Sequence, residues 1–289
     1  MTDSEGTGRF VPSPRVRRMA LAAVVLLAIA YIAFAALYMA TRIGPAPDAD
    51  LRTQVPKGGV SVVFVPQRVD PERESIQGEI RILIDRANVP SDVTVRVFPF
   101  LDTSQIVIPV GEAAVEQEAS LTVEGEVRAY PFDHYEGGVQ ISASSDQGSL
   151  PVVGGILPIN GLTGWNFSVA SGADSTPKSI TDTVYVERSL TTRVTVMILA
   201  ALTLVLGAIA IALAWSVAVG RKESSFGEAT WIAATTFSVI SVRNFMPGAP
   251  PIGAYLDSLA IIPAILALFL SMAVLVVLWL TRDTSQEPD

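Results

Sequence analysis

The chain has 289 residues, half of them hydrophobic, a formal net charge of −8 and no cysteine. The missing thiols exclude thiol catalysis, disulfides, thiolate zinc sites and iron–sulfur clusters. The acidic balance argues against binding nucleic acid, because an acidic surface repels phosphate.

The apolar residues are segregated. Uncharged runs occupy 19–41, 194–219 and 258–281, with a shorter one at 229–242. Each of the three long runs exceeds the ~18 apolar residues that read as a membrane span.

Residues 1–18 form a Ser-, Gly- and Pro-containing tail, read as disordered, that ends in Arg15, Arg17 and Arg18. These cations precede the first apolar run and place it with its N-terminus in the cytoplasm. A cleaved signal peptide is the competing reading. Tyr38 makes a poor match to a small-residue cleavage site before Ala40, and the apolar core exceeds the ~7–15 residues of a signal core. An uncleaved helix over 19–41 is therefore expected.

Residues 42–192 are expected to form one extracytoplasmic domain. Residues 43–190 hold 10 Lys and Arg against 20 Asp and Glu, a balance of −10. Alternation predicts strands. Ile76, Ile80, Ile82 and Ile84 share one face, against Gln77, Glu79, Arg81 and Asp85, with Gly78 and Leu83 out of pattern. Val93, Val95 and Val97 oppose Thr94 and Arg96. Further short runs lie at 59–65, 105–110, 119–128, 138–143, 151–157, 164–170 and 182–187. Eight or nine strands with turn residues between them predict an antiparallel β-sandwich of immunoglobulin-like size. Trp165 and Phe167 are expected in its core.

After this domain the sequence predicts a second helix at 193–219, a cytoplasmic loop at 220–227, a third helix at 228–245, an outer turn at 246–257, a fourth helix at 258–281 and a cytoplasmic tail at 282–289. The segment 228–245 carries Thr230, Thr235, Thr236, Ser238 and Ser241, hydroxyls that a span tolerates by bonding back to helix carbonyls. If it spans, there are four helices with both termini inside. If it does not, there are three and the C-terminus is outside. Four is preferred, because the short loop and the uncharged stretch after it read as a helical hairpin.

Two motifs stand out. Tyr130-Pro131-Phe132-Asp133-His134-Tyr135 contains the only histidine. A dyad of Asp133 and His134 is disfavoured, since neighbours in an extended chain point to opposite sides. The preferred reading is a turn anchored by Tyr130, Phe132 and Tyr135, with its backbone bonded by Asp133. The second motif runs from Arg243 and Asn244 through Pro247, Gly248, Pro250, Pro251 and Gly253 to Asp257. Its prolines stop the helix, its glycines permit a tight turn, and Arg243 and Asp257 are expected to approach one another at the membrane edge, the competing reading being that each snorkels separately into headgroups and water.

Other candidates are weak. Ser175-Thr-Pro-Lys178 matches the Ser-x-x-Lys of penicillin-recognising enzymes but has a proline inside it and no companion motifs. Asn166-Phe-Ser168 is a glycosylation sequon inside a predicted strand. There is no Gly-x-Ser-x-Gly, phosphate loop, dinucleotide glycine pattern or His-Glu-x-x-His. No catalytic residue, cofactor site or metal site is expected. The uncharged spans also disfavour ion-coupled transport.

The acidic β-region with its Tyr-Pro-Phe-Asp-His-Tyr motif, followed by spans joined through the proline-rich turn, resembles membrane proteins of the "domain of unknown function 4436" family over residues 20–282. The resemblance implies an integral membrane protein of the bacterial envelope, with the bilayer as a partner. It implies no activity. The residues favour a non-enzymatic binding or assembly module that engages an envelope protein or polymer. A transport or channel accessory subunit is the alternative, and a membrane hydrolase comes third.

Overall fold

The computed structural model describes residues 54–99, 104–157, 162–221, 226–248 and 251–283, together with isolated positions 14, 15, 18, 29 and 36. Apart from those positions, the expected tail at 1–18 and helix at 19–41 lie outside the described residues. So do Pro250 and residues 284–289.

Among the described residues, eleven strands precede the C-terminal helices, with β1 at Val60–Asp70, β2 at Ser75–Ile84, β3 at Val93–Phe98, β4 at Gln105–Ile108, β5 at Ala114–Thr122 and β6 at Glu124–Gly125. The remainder are β7 at His134–Ser145, β8 at Gly148–Leu150, β9 at Val152–Ile156, β10 at Trp165–Ser171 and β11 at Ser179–Arg188. They form a four-stranded sheet ordered β5-β2-β1-β9 and a larger sheet ordered β10-β11-β7-β3-β4, with β6 and β8 also paired to β7.

Period-two burial builds the core. Ile76, Ile80, Ile82 and Ile84 of the first sheet and Val93, Val95, Val97, Val139, Ile141, Val184 and Val186 of the second belong to one apolar cluster. Each such side chain, fully buried, contributes about 1.5–3 kcal/mol. Gly78 faces inward after all. A Cβ there would crowd the Phe64 ring and the backbone of β1, so the apparent break in alternation is a place made for Phe64.

The strands are not all antiparallel. β1 runs parallel to β9, from Val60 opposite Val152 to Phe64 opposite Ile156, which corrects the expectation of a purely antiparallel arrangement. The physical reason is the long connection between them. A parallel pair needs a crossover, and the intervening strands supply it. At β9, Gly154 and Gly155 take φ of +120° and +109°, and the backbone approaches β1 and Asp182 more closely than a Cβ would allow.

Helix α1 is Leu190–Ala218, α2 is Phe226–Asn244, and α3 is Ile262–Asp283, entered through a π-helical turn at Asp257–Ile261. Among the described residues, two helical stretches are long and apolar enough to cross a membrane, Leu190–Ala218 with 29 residues and Asp257–Thr281 with 25. Although α1 is apolar all round, one face is selected for packing. Val196, Ala200, Thr203, Gly207, Ala210, Ala214 and Val217 are buried at alternating spacings of four and three, the repeat of helices packed closely side by side. Gly207 lies against Ala264 and Ala267 of α3. Small residues bring the two backbones together. Among the alanines of α1, Ala210 and Ala214 are buried, while Ala201, Ala208 and Ala212 are exposed.

Along α2 the hydroxyls bond back one turn: Thr230 to Phe226, Thr235 to Trp231, Thr236 to Ile232, Ser238 to Ala234 and Ser241 to Phe237. The helix thus satisfies its polar side chains internally.

Candidate functional site

The two sequence motifs meet. β7 ends its approach from the Tyr130 motif with strict alternation, so that Pro131, Asp133, Tyr135 and Gly137 are buried while Phe132, His134 and Glu136 are exposed. The Asp133–His134 dyad is therefore not assembled. The two side chains leave opposite faces of the chain.

β11 alternates likewise, burying Asp182, Val184, Val186 and Arg188. In the larger sheet Glu187 pairs with His134 and Val186 with Tyr135, while Trp165 of β10 pairs with Arg188. This register brings Asp133, Arg188 and Trp165 together at one end of the β-domain, where α1 begins.

The Arg188 guanidinium is 1% exposed and Asp133 is 0% exposed. Arg188 Nε donates to both carboxylate oxygens, at 3.1 Å to Oδ1 and 3.0 Å to Oδ2. The Tyr135 hydroxyl donates to Oδ2 at 3.0 Å. The guanidinium carbon lies 3.8 Å from the Trp165 ring centroid and 5.0 Å from that of Tyr130. Trp165 and Tyr135 meet edge to face, with centroids 5.8 Å apart. A cation between two aromatic faces gains quadrupole attraction while water is excluded. The Nη2 of Arg188 is buried and makes no hydrogen bond among the described residues. Burial raises the Tyr130 and Tyr135 phenols well above their ordinary range, and Asp133 beside Tyr135 reinforces this. Both hydroxyls remain donors.

The proline-rich turn closes this cluster. The Tyr130 hydroxyl donates to the Pro247 carbonyl at 2.6 Å. Gly248, at φ +80°, lies so close to Arg188 that a Cβ would collide with its guanidinium. A second tie joins the Tyr255 hydroxyl to Glu126 at 2.8 Å.

Within the turn, Arg243 and Asp257 come together, with Nε 3.2 Å from Oδ1 and Nη2 3.0 Å from Oδ2. Arg243 Nη2 also donates to the Pro251 carbonyl, and Asp257 Oδ2 accepts from the Gly253 amide. Arg243 occupies the last turn of α2 and Asp257 the first turn leading into α3, the ends at which cation and anion complement the helix dipoles. Asn244 ends α2 and is exposed.

Two sequence readings change, and one residue was missed. Asp133 bonds Arg188 and Tyr135, not the backbone of its own turn. Phe132 is exposed and anchors nothing inside. Arg188, which composition and motif did not single out, is the centre of the junction. The signal for it was present: a cation in the inward phase of β11 requires an anion in the inward phase of a neighbouring strand. Elsewhere, the Ser175 hydroxyl is engaged by the Thr181 backbone, donating to its carbonyl and accepting from its amide. Asn166 lies exposed on β10. Among the described residues no cluster of three or more His, Asp or Glu could hold a metal ion.

Residues 50–188 match the family model described as Domain of unknown function (DUF4436), and residues 188–282 match a second, Domain of unknown function (DUF8686). No curated protein matches the chain. The boundary between the two matches falls on Arg188. The proline-rich turn thus lies in the second match, so the resemblance read over 20–282 divides between two families. The β-domain, residues 50–188, thus matches the model of the DUF4436 family, the family that the sequence was read to resemble.

Proposed function

We propose that this is an integral membrane protein of the bacterial envelope. It crosses the bilayer four times with both termini inside, and holds a β-sandwich outside as a non-enzymatic binding or assembly module. One observation supports the return of the chain through α2, the hydrogen bond from Tyr130 to Pro247. α1 leaves the β-domain at Arg188, and the turn after α2 is back against that same domain. A chain that departs through α1 must return through α2. At 19 residues, α2 reaches ~28 Å, close to the ~30 Å hydrocarbon core. If α2 did not cross, the turn would lie at the far end of α1, away from Tyr130.

The junction also supports the non-enzymatic reading. Asp133, the one acid in the Tyr130 motif, is committed to Arg188 and Tyr135, and Ser175 is committed to backbone. What the arrangement does well is fix a β-domain rigidly on a helical hairpin. The alternative of a transport or channel accessory subunit would have the turn act as a gate. Its carbonyls at Pro247 and Pro251 are both held by side chains, which favours a fixed platform.

Reporter fusions after Asp289 test the topology, and activity on the outer side would overturn it. Affinity capture of the intact protein from mild detergent tests the binding role. Recovery of an envelope protein or polymer is expected, and substrate turnover without any captured component would overturn the reading.

A further inference from the structure

The spanning reading leaves open how far the β-domain stands from the lipid, and the outer ends of the three helices bear on this. Leu190 opens α1 and is about half exposed. Phe245 follows the last residue of α2 and is 85% exposed. Ile252 lies in the turn before α3 and is 95% exposed. A single exposed apolar side chain is unremarkable. Here each helix carries one at its outer end.

Several polar and charged groups at this level are turned to partners. Arg193, in the first turn of α1, reaches back to Glu187 at 2.8 Å. Arg243 is paired with Asp257, and the Tyr255 hydroxyl donates to Glu126. Folding a basic side chain back from the apolar part of a helix toward the polar region is the behaviour of residues at a membrane edge. The apolar stretch Asp257–Thr281 measures ~37 Å at 1.5 Å per residue, longer than the ~30 Å hydrocarbon core. Its outer end therefore reaches the headgroup layer, where aromatic and apolar side chains are favoured.

We propose that Leu190, Phe245 and Ile252 form an apolar collar lying in the lipid headgroup layer, which seats the base of the β-domain directly on the membrane surface. This rests on the spanning reading above. The occupant of the collar is lipid, since the three side chains continue the apolar surface of the helices. The membrane-facing end of the β-domain is then closed to partners, and recognition is confined to its sides and far end.

The cysteine-free chain provides a direct test. Phe245→Cys and Ile252→Cys, each in the full chain, carry a nitroxide label in vesicles of phosphatidylcholine and phosphatidylglycerol. Gln147→Cys at the β7–β8 hairpin serves as a water reference and Leu266→Cys, exposed on α3, as a hydrocarbon reference. Relaxation by oxygen and by a water-soluble nickel chelate reports depth. Labels at 245 and 252 are expected to show an oxygen-to-nickel ratio several-fold above that at 147 and below that at 266. Ratios at 245 and 252 equal to that at 147, with 266 remaining lipid-exposed, would overturn the collar while leaving the spanning reading intact. Labels at 245 and 252 shielded from both reagents would place a second protein copy there and equally overturn it. Nickel access at 266 would bring down the spanning reading and the collar with it.

Discussion

Two arginine–aspartate pairs stand a few residues apart in space and differ in almost everything else. Arg243 and Asp257 are 14 residues apart in sequence, partly exposed, at 18% and 9%, and tied to the backbone of their own turn. Arg188 and Asp133 are 55 residues apart, wholly buried, and enclosed by Tyr130, Tyr135, Trp165 and Gly248. The first pair shapes a hairpin. The second joins three strands, a helix start and that hairpin. The degree of burial is what separates them, because a charge removed from water tolerates no loss of its partner, whereas a charge that keeps some access to water recovers hydration when its partner goes.

The largest expected effect tests that distinction. Arg188→Met leaves Asp133 buried and unpaired, and should lower stability by ~3–5 kcal/mol. The double variant Arg188→Met with Asp133→Leu should be markedly less damaged than Arg188→Met alone. Thermal unfolding in detergent reads both. Equal damage in the single and double variants would mean that packing around the guanidinium, not its charge, holds the junction.

Next in size is Gly248→Ala. The added methyl strains a positive-φ backbone and strikes Arg188, costing ~1–3 kcal/mol. Limited proteolysis should then cut the turn sooner, and the cluster around Arg188 should loosen with it. Wild-type resistance at the turn would show that the contact yields easily.

The less deeply buried pair should give less. Arg243→Asp is expected to cost ~1–2 kcal/mol, discounted for hydration, and to reduce membrane-inserted protein. Adding Asp257→Arg should restore part of it. A double reversal no better than the single would separate the two charges energetically, despite their 3.0 Å contact.

Smaller again is Tyr130→Phe, which removes only the hydrogen bond to Pro247 and should cost ~1 kcal/mol. The melting temperature of the full chain should fall modestly, with the fold retained. No change at all would assign the docking to Arg188 and Gly248.

The smallest effect is expected at a carboxylate held mainly by N–H donors instead of an arginine. The Gly58 amide first, and then the Asn88 side chain, keep Asp85 below the ordinary aspartate range. A depressed native pKa means that stabilisation is fully present above the unfolded value and is lost as pH falls through the native one. Titration by NMR should find the Asp85 midpoint below the usual aspartate value, and Asn88→Ala should raise it.

These contrasts also mark what could be read without coordinates. The apolar runs required only local chemistry, since an uncharged apolar stretch of about 20 residues or more is helical or costly in lipid whatever surrounds it. The alternation at 76–85 and 92–98 was equally local, because a half-buried strand sorts its side chains by twos. The approach of Arg243 to Asp257 followed from a short turn between two helices. The parallel β1–β9 pair was invisible, since strand direction depends on how a long connection is routed and not on the residues that pair.

The partner of Asp133 was invisible for a related reason. Nothing near residue 133 names residue 188. The pairing exists only because the register of β7 against β11 places the two side chains in the same inward phase at the same end of the sheet. The docking of Tyr130 on Pro247 spans 117 residues and depends on that register and on the return of α2. Composition and period thus determined which segments are helix or strand and which face each strand buries, because those preferences act within a few residues. Tertiary structure alone decided which two motifs touch, because that contact is set by sheet register and helix packing, energies that no local stretch of sequence contains.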